Sequence, residues 1–316
     1  MYKGKSVLLI AGGGTLGTYT AQELLKLGCN VEVICPEEKI SDNERLIFHQ
    51  SYATDEFLTK LFSEKYYDGI VNFIHYPDVE EYKPVHKLLT DNTEHLIFLS
   101  SYRVYADLEH PITEEAPRLL DVSEDKEFLT KEDYAVSKAK AEDFIINESN
   151  TKNWTIVRPV ISFSDRRLDI VTINNRVVID HFKQGKPVFL PVDAKKLTAG
   201  LDWAGNSGKL IANLLFKEEA LGEKFTISTA QNLTWGEVAE LYTEIIGTKF
   251  EWIDTALWLD NPEYRLNSGY WAVVYDRLFD RKIDNCKVLK ATGLKQSDFL
   301  SIKEGLKIEL SKIDLL

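Results

Sequence analysis

The chain has 316 residues, a formal net charge of -12 and an apolar fraction of 44%. An apolar fraction of that size can build the core of one large domain or of two lobes, so the composition predicts a compact soluble protein. The acidic balance repels polyphosphate and no block rich in Lys and Arg interrupts it, so nucleic acid is a disfavoured partner.

No window approaches the 18 consecutive apolar residues of a membrane helix, and the start "MYKGKSVLLI" shows no signal-peptide pattern. We therefore expect no membrane span and a cytoplasmic protein. The three cysteines form no CxxC pair and the six histidines no HExxH motif, so no metal site is expected.

Short apolar runs alternate with segments of helical length. Continuous apolar strands separated by helices are typical of a parallel sheet that is covered on both faces. The sequence therefore predicts an α/β fold with a Rossmann-type, doubly wound parallel sheet. The predicted strands lie at 6–11, 31–35, 69–74, 95–101, 154–160 and 224–229.

The segments between the strands read as helices. The run 18–28 has apolar residues at helical spacing and stops at Gly28, and the run 133–148 has a similar inward stripe. After about residue 162 the pattern becomes mostly helical. We predict a nucleotide-binding domain at 1–162, to which 198–229 returns, and a smaller, mostly helical lobe for substrate from 163–197 and 230–316.

The first strand is followed by a glycine-rich loop that fits G-x-G-x-x-G and opens a helix. Gly12 permits the tight turn, Gly14 lets the backbone approach a pyrophosphate, and Gly17 lets the helix pack against the strand. The N–H groups of Thr15 and Leu16 lie at the helix start, where phosphate binds. This order of elements predicts a dinucleotide site, against the alternative of a turn with packing value only.

The end of the second strand should select the cofactor, because an acidic residue there binds the adenosine ribose. Cys35 takes that position, and Glu37 and Glu38 follow one or two residues late. No arginine stands there to accept a 2′-phosphate. The sequence therefore favours NAD over NADP, with Glu37 as the ribose carboxylate, and leaves NADP open.

A Ser-Tyr-Lys set follows the later strands. Ser101 ends the fourth predicted strand, and Tyr134 and Lys138 lie one helical turn apart on one face. A tyrosine titrates near about 10, and a neighbouring ammonium favours its phenolate form. YxxxK alone is common, but behind a glycine loop and a strand-end serine it indicates general acid/base chemistry.

The ordered motifs "GGGTLG", "FLSSYRVY", "YAVSK" and "VRPVIS" together resemble the extended short-chain dehydrogenase/reductase superfamily, in its NAD-dependent epimerase/dehydratase family. The resemblance spans almost the whole chain, since "GLDWAG" and "DNCK" also match segments of that family. The layout resembles most the branch with the chloroplast stem-loop-binding proteins and their bacterial relatives.

The resemblance implies roles for these residues. Tyr134 would be the general acid/base, Lys138 would hold the nicotinamide ribose and lower the pKa of the tyrosine, and Ser101 would orient the substrate oxygen. Pro159, in the "VRPVIS" segment, would lie beside the cofactor. Hydride would pass between a sugar carbon and nicotinamide, and the C-terminal lobe would bind a nucleotide-sugar.

The chain departs from the family at several positions. Ala11 stands where the family's glycine pattern begins, and the bulky Ile74 and His75 stand where small residues are usual. Tyr102 and Arg103 replace the acidic residues of the dehydratases. These departures disfavour dehydratase chemistry and leave epimerase or reductase chemistry open.

Four further side chains could contact substrate: His75 at a strand end, and Arg166, Arg167 and Arg176, which could bind a diphosphate. Packing or surface salt bridges are the alternative for each. A dinucleotide-binding sensor without turnover, an RNA-binding protein and a homodimeric assembly also stay open at this point.

Overall fold

The structure is a computed structural model and describes residues 2–131, 134–168, 170–171, 177–265 and 269–313. Its strands are β1 (Ser6–Ile10), β2 (Asn30–Cys35), β3 (Leu46–Gln50), β4 (Tyr67–Asn72), β5 (Thr93–Leu99), β6 (Trp154–Pro159), β7 (Ile161–Phe163), β8 (Val188–Pro191), β9 (Leu201–Trp203), β10 (Glu223–Ile227) and β11 (Phe250–Ile253). Seven of them form one sheet in the order β10-β6-β5-β4-β1-β2-β3, with every neighbouring pair parallel.

The helices are α1 (Thr15–Leu27), α2 (Asp55–Glu64), α3 (Val79–Asp91), α4 (Leu119–Val122), α5 (Lys126–Thr130), α6 (Tyr134–Glu148), α7 (Val177–Lys183), α8 (Ala204–Leu214), α9 (Trp235–Ile246), α10 (Thr255–Asp260), α11 (Tyr270–Ala272), α12 (Cys286–Thr292) and α13 (Ile302–Ser311). A 3₁₀ turn follows β5 at Tyr102–Val104, and a π-helical turn follows α11 at Val273–Arg277.

Both faces of the main sheet are covered, as the continuous apolar strands predict. In β1, Val7 and Leu9 pack in the cluster that contains residues of α1 and α8, whereas Leu8 and Ile10 pack in the cluster with residues of α2, α3 and α6. Successive residues of a strand point to opposite faces, so a strand between two helical layers must be apolar throughout. The prediction of a Rossmann-type, doubly wound sheet is confirmed.

The sequence predicts the end of helix α1 correctly but does not predict strand β3. Helix α1 ends at Gly28, as predicted, and the glycine has a φ of 96° in the left-handed region. Strand β3 was missed by the sequence reasoning. It is one of the two edge strands of the main sheet. Ile47 is 51% exposed and the strand ends in His49 and Gln50, so it lacks the apolar run of a central strand.

The C-terminal part of the chain forms most of a further hydrophobic core, separate from the two that cover the main sheet. Strands β8 and β11 pair in parallel, as do β7 and β9, and a buried cluster with Trp235, Tyr242 and Trp258 packs beside them. Strand β10 returns to the main sheet beside β6. Helices α9 to α13 make this region mostly helical, as predicted. Within the described part of the chain, every helix is too short or too polar to cross a membrane.

Two histidines, His86 of α3 and His95 of β5, are buried and neutral. Burial lowers the pKa of His95 and of His86 to about 4 each. His95 accepts a hydrogen bond at Nδ1 from the Phe216 N–H at 3.0 Å, so its proton lies on Nε2, 2.8 Å from Thr155 Oγ1. Protonation of His95 would break the bond to Phe216.

We expect acid to destabilise the fold through these histidines. Their folded pKa lies below the unfolded value of about 6.5, so the unfolded state binds more protons and stability falls as pH drops from 6.5 to 4. Each can contribute up to about 3 kcal/mol. Urea unfolding across that range should show a shallower pH dependence for His95→Gln than for the unaltered protein. Equal slopes would contradict the assignment.

Candidate functional site

A cavity of about 470 Å³ opens at the carboxyl ends of β1, β4, β5 and β6. Ligands bind at this edge in doubly wound sheets, because the loops there converge on the helix N-termini. The lining residues are Ala11, Gly14, Thr15, Leu16, Gly17, Phe73, Leu99, Ser100, Ser101, Tyr102, Arg103, Tyr134, Pro159, Val160, Ile161, Ser162, Arg167 and Arg277.

The glycine loop lies at one end of the cavity, and its glycines differ in what surrounds them. A Cβ on Gly12 would lie 2.7 Å from Leu9 Cβ, and one on Gly17 would lie 2.2 Å from the carbonyl oxygen of Gly12. Both positions therefore need glycine for packing. A Cβ on Gly14 would meet nothing within 4 Å, because Gly14 faces the cavity. The space at Gly14 fits a pyrophosphate at the start of α1.

Ala11 begins this loop with a φ of 55°, in the left-handed region that glycine adopts at lower energy. This is the position where the family's pattern has its first glycine. The loop keeps its course despite the alanine, and Ala11 lines the cavity beside Gly14.

The end of β2 brings charged groups to the backbone of Gly13. Glu37 Oε2 lies 2.9 Å from where a Cβ on Gly13 would stand, whereas Cys35 is buried against the same glycine. Lys39 Nζ donates to the Gly13 carbonyl at 2.6 Å, and Arg166 Nη1 donates to it at 3.3 Å. Sequence reasoning missed Lys39, because its approach to Gly13 depends on how the chain turns after β2.

Ser101 and Tyr134 line the same cavity. The helix that begins at Tyr134 is fixed to the strands by a buried ion pair, since Arg158 of β6 donates from Nε and Nη2 to Glu142 of α6 at 2.8 and 2.6 Å. Ser100, next to Ser101, also donates to Glu142. These bonds join the end of β5 and strand β6 to the middle of α6, so the two predicted catalytic side chains reach one site.

Lys138 lies behind this site. Its side chain is 1% exposed, and Nζ donates to the carbonyl oxygens of Ile74, at 3.3 Å, and of Leu99. Nζ lies 5.7 Å from the centre of the Tyr134 ring. Burial lowers the pKa of Lys138 to about 7. The ammonium is thus near the tyrosine but is not part of the cavity lining. The predicted contact with a nicotinamide ribose would have to be made in the cavity.

His75 packs on the other side of Tyr134. The two ring centres lie 4.7 Å apart, and His75 Nε2 lies 2.8 Å from Ser137 Oγ, which donates to the Tyr134 carbonyl oxygen. His75 is exposed and lies outside the lining of the cavity. It therefore contacts the predicted catalytic tyrosine without being among the residues that line the cavity.

The sequence predicts some of the arginines at the site but not others. Arg167 lines the cavity, Arg166 donates to the Gly13 carbonyl oxygen from outside the cavity lining, and Arg176 lies outside the described residues. Arg103 and Arg277 also line the cavity and were missed as site residues. Arg103 could have been found, since it stands two residues after Ser101, whereas no local signal brings Arg277 to the site.

Several solved structures share the fold. The Bordetella bronchiseptica enzyme WbmG, solved in complex with NAD, is 16% identical with a TM-score of 0.70, over 99% of this chain and 94% of that one. The UDP-glucuronic acid 4-epimerase of Bacillus cereus, solved with UDP-glucuronic acid and NAD, is 16% identical with a TM-score of 0.68, over 98% and 99% of the two chains. The UDP-glucose 4-epimerase of Thermotoga maritima, solved with UDP-glucose, is 17% identical with a TM-score of 0.67, over 98% of both chains.

These identities are low enough that the likeness shows the fold alone. No curated protein sequence matches the chain. The model of the NAD dependent epimerase/dehydratase family matches residues 8–198, which include the glycine loop, Ser101, Tyr134 and Lys138. On this match over more than half of its length, the chain belongs to the NAD dependent epimerase/dehydratase family.

Proposed function

We propose that the protein is an NAD-dependent epimerase of nucleotide-sugars that works through Ser101, Tyr134 and Lys138. One observation supports this most: Ser101 and Tyr134 line the same cavity as Gly14 and the start of α1. A cofactor on the loop and a substrate at the tyrosine would therefore share one cavity. The neighbours solved with NAD, UDP-glucuronic acid and UDP-glucose add support from the same fold.

The residues present fit NAD. Gly14 leaves open space for the pyrophosphate, Thr15 and Leu16 offer N–H groups at the start of α1, and Pro159 lines the same cavity. Glu37, beside Gly13, is the carboxylate for the ribose hydroxyls and would repel a 2′-phosphate. NAD, when bound, supplies a reversible hydride acceptor for a sugar carbon.

The protein's own residues then handle the proton. Ser101 holds the substrate hydroxyl, Tyr134 takes its proton as the carbon is oxidised, and Tyr134 returns the proton when the carbonyl is reduced from the opposite face. Lys138, 5.7 Å from the ring centre, favours the phenolate whenever it is protonated. Tyr102 and Arg103, which line the cavity, stand where the dehydratases of the family have acidic residues, so dehydratase chemistry is disfavoured.

Tyr134→Phe tests this proposal. We expect turnover of a competent UDP-sugar to fall by roughly 100- to 10,000-fold, because the phenyl ring cannot carry the proton. Affinity for NAD, measured by calorimetry, should stay within about threefold, since a lost hydroxyl leaves the loop unchanged. Tyr52→Phe is the matched control, because Tyr52 is 74% exposed and lies outside the cavity lining. Full turnover in Tyr134→Phe would refute the role.

A dinucleotide-binding sensor without turnover is the second candidate. The observation that favours it is the burial of Lys138, whose Nζ donates to the carbonyl oxygens of Ile74 and Leu99. Stable NAD binding with no hydride exchange across a panel of UDP-sugars, followed in the nicotinamide absorbance, would support the sensor over the epimerase.

A further inference from the structure

Arg103 is held beside both side chains that we propose to contact the reacting oxygen. Its backbone N–H donates to Ser101 Oγ at 3.2 Å, and its guanidinium carbon lies 5.4 Å from the centre of the Tyr134 ring. Its side chain is only 16% exposed and lines the cavity. A group bound by this guanidinium would therefore lie close to the reacting carbon.

Asp276, in the π-helical turn, connects Arg103 to two further arginines. Asp276 Oδ2 is 3.8 Å from Arg103 Nε and is paired with Arg277 Nη1, and Asp276 Oδ1 is 3.4 Å from Arg281 Nε. Asp276 is fully buried, and Arg277 and Arg281 are nearly so. One carboxylate is shared by three guanidinium groups, and each guanidinium has five donors that several acceptors can share.

The described lining of the cavity is therefore basic, in a protein that is acidic overall. Arg103, Arg167 and Arg277 line it, and the described lining residues include no aspartate or glutamate. Guanidinium groups in a partly dehydrated site bind planar carboxylates through paired hydrogen bonds. A neutral sugar would place an uncharged hydroxymethyl group where the site offers positive charge.

We propose that Arg103 recognises a carboxylate on the sugar carbon next to the reacting carbon, so that the substrate class is the nucleotide-linked uronic acids. This inference rests on the proposed epimerase function and names its substrate class. The diphosphate is linked to the anomeric carbon, which lies further from the reacting oxygen. It is therefore not the group that Arg103 binds. Arg167 and Arg277, which also line the cavity, would contact the diphosphate.

The test compares UDP-glucuronic acid with UDP-glucose, which differ only by a carboxylate in place of a hydroxymethyl group. Both are titrated calorimetrically into the NAD-loaded full chain, and epimerisation is measured in parallel. We expect the unaltered protein to bind the acid roughly 10- to 100-fold more tightly, as for a charged hydrogen-bonded pair. Arg103→Gln should remove that preference and change the affinity for UDP-glucose by no more than about threefold. Arg103→Lys should keep part of the preference.

Arg45→Gln is the matched control. Arg45 is exposed, donates to the carbonyl oxygens of Leu25 and Cys29, and lies at the opposite ends of the strands, just before β3. It should keep the full preference for the acid. An equal loss of affinity for both ligands in Arg103→Gln would overturn the inference. Arg103 would then bind a group that both ligands share, or would support the fold.

The outcomes separate this inference from the proposed function. Turnover of both sugars with no preference for the acid supports the epimerase and overturns the role of Arg103. Preferential, Arg103-dependent binding of the acid without turnover supports the role of Arg103 and overturns the epimerase. Failure of the NAD-loaded protein to bind either ligand overturns both.

Discussion

Gly14→Ala is expected to abolish NAD binding and to leave the fold intact. The added methyl group would meet no protein atom within 4 Å, and Gly14 has a φ of -80°, which alanine adopts without strain. The same methyl group would occupy the place of the pyrophosphate. We expect at least a roughly 100-fold loss of affinity for NAD in calorimetry, with the free energy of unfolding changed by about 1 kcal/mol or less.

Gly17→Ala is the contrasting variant in the same loop. Its methyl group would lie 2.2 Å from the Gly12 carbonyl oxygen, which is backbone, so helix α1 would have to move away from the loop. We expect a loss of about 3 kcal/mol in the free energy of unfolding. If Gly14→Ala bound NAD as tightly as the unaltered protein, the loop would not be the pyrophosphate site, whatever Gly17→Ala did to stability.

Lys138→Met is expected to stop turnover and to stabilise the protein at neutral pH. Burial lowers the pKa of Lys138 to about 7, so the folded state either loses a proton or buries a charge. Methionine removes this cost, and the lost bonds to the carbonyl oxygens of Ile74 and Leu99 offset part of the gain. We expect a net stabilisation of about 1–3 kcal/mol at pH 7.

The pH dependence of that gain identifies its cause. Between pH 7 and about 10.5 the unfolded lysine holds a proton that the folded lysine has released, so the unaltered protein becomes more stable as pH rises through this range. The advantage of Lys138→Met should therefore be largest at pH 7 and below, and should shrink towards pH 10. A variant that is less stable at pH 7, by an amount that does not change with pH, would show that Lys138 stabilises the fold.

Local features of the sequence account for much of the fold and for part of the candidate site. The apolar runs of β1, β2, β4, β5, β6 and β10 predict the covered parallel sheet, because a strand between two helical layers has no polar face. Gly28 marks the end of α1, and Gly12 and Gly17 mark the loop, because these requirements involve neighbouring residues. Strand β3 was not predicted. It lies at an edge of the sheet and is partly exposed, so its sequence contains both polar and apolar residues.

Spacing and apolar periodicity are local properties, so the amino-acid sequence is enough to predict the family, the sheet and the motifs that contain Gly14, Ser101 and Tyr134. The tertiary structure alone decided that Lys138 is buried behind the cavity, that Lys39 reaches Gly13, and that Arg103 shares Asp276 with Arg277. Burial and charge pairing depend on segments far apart in the chain that meet only when the sheet and the C-terminal region pack together. No local sequence pattern predicts that packing, which brings the arginines to the cavity.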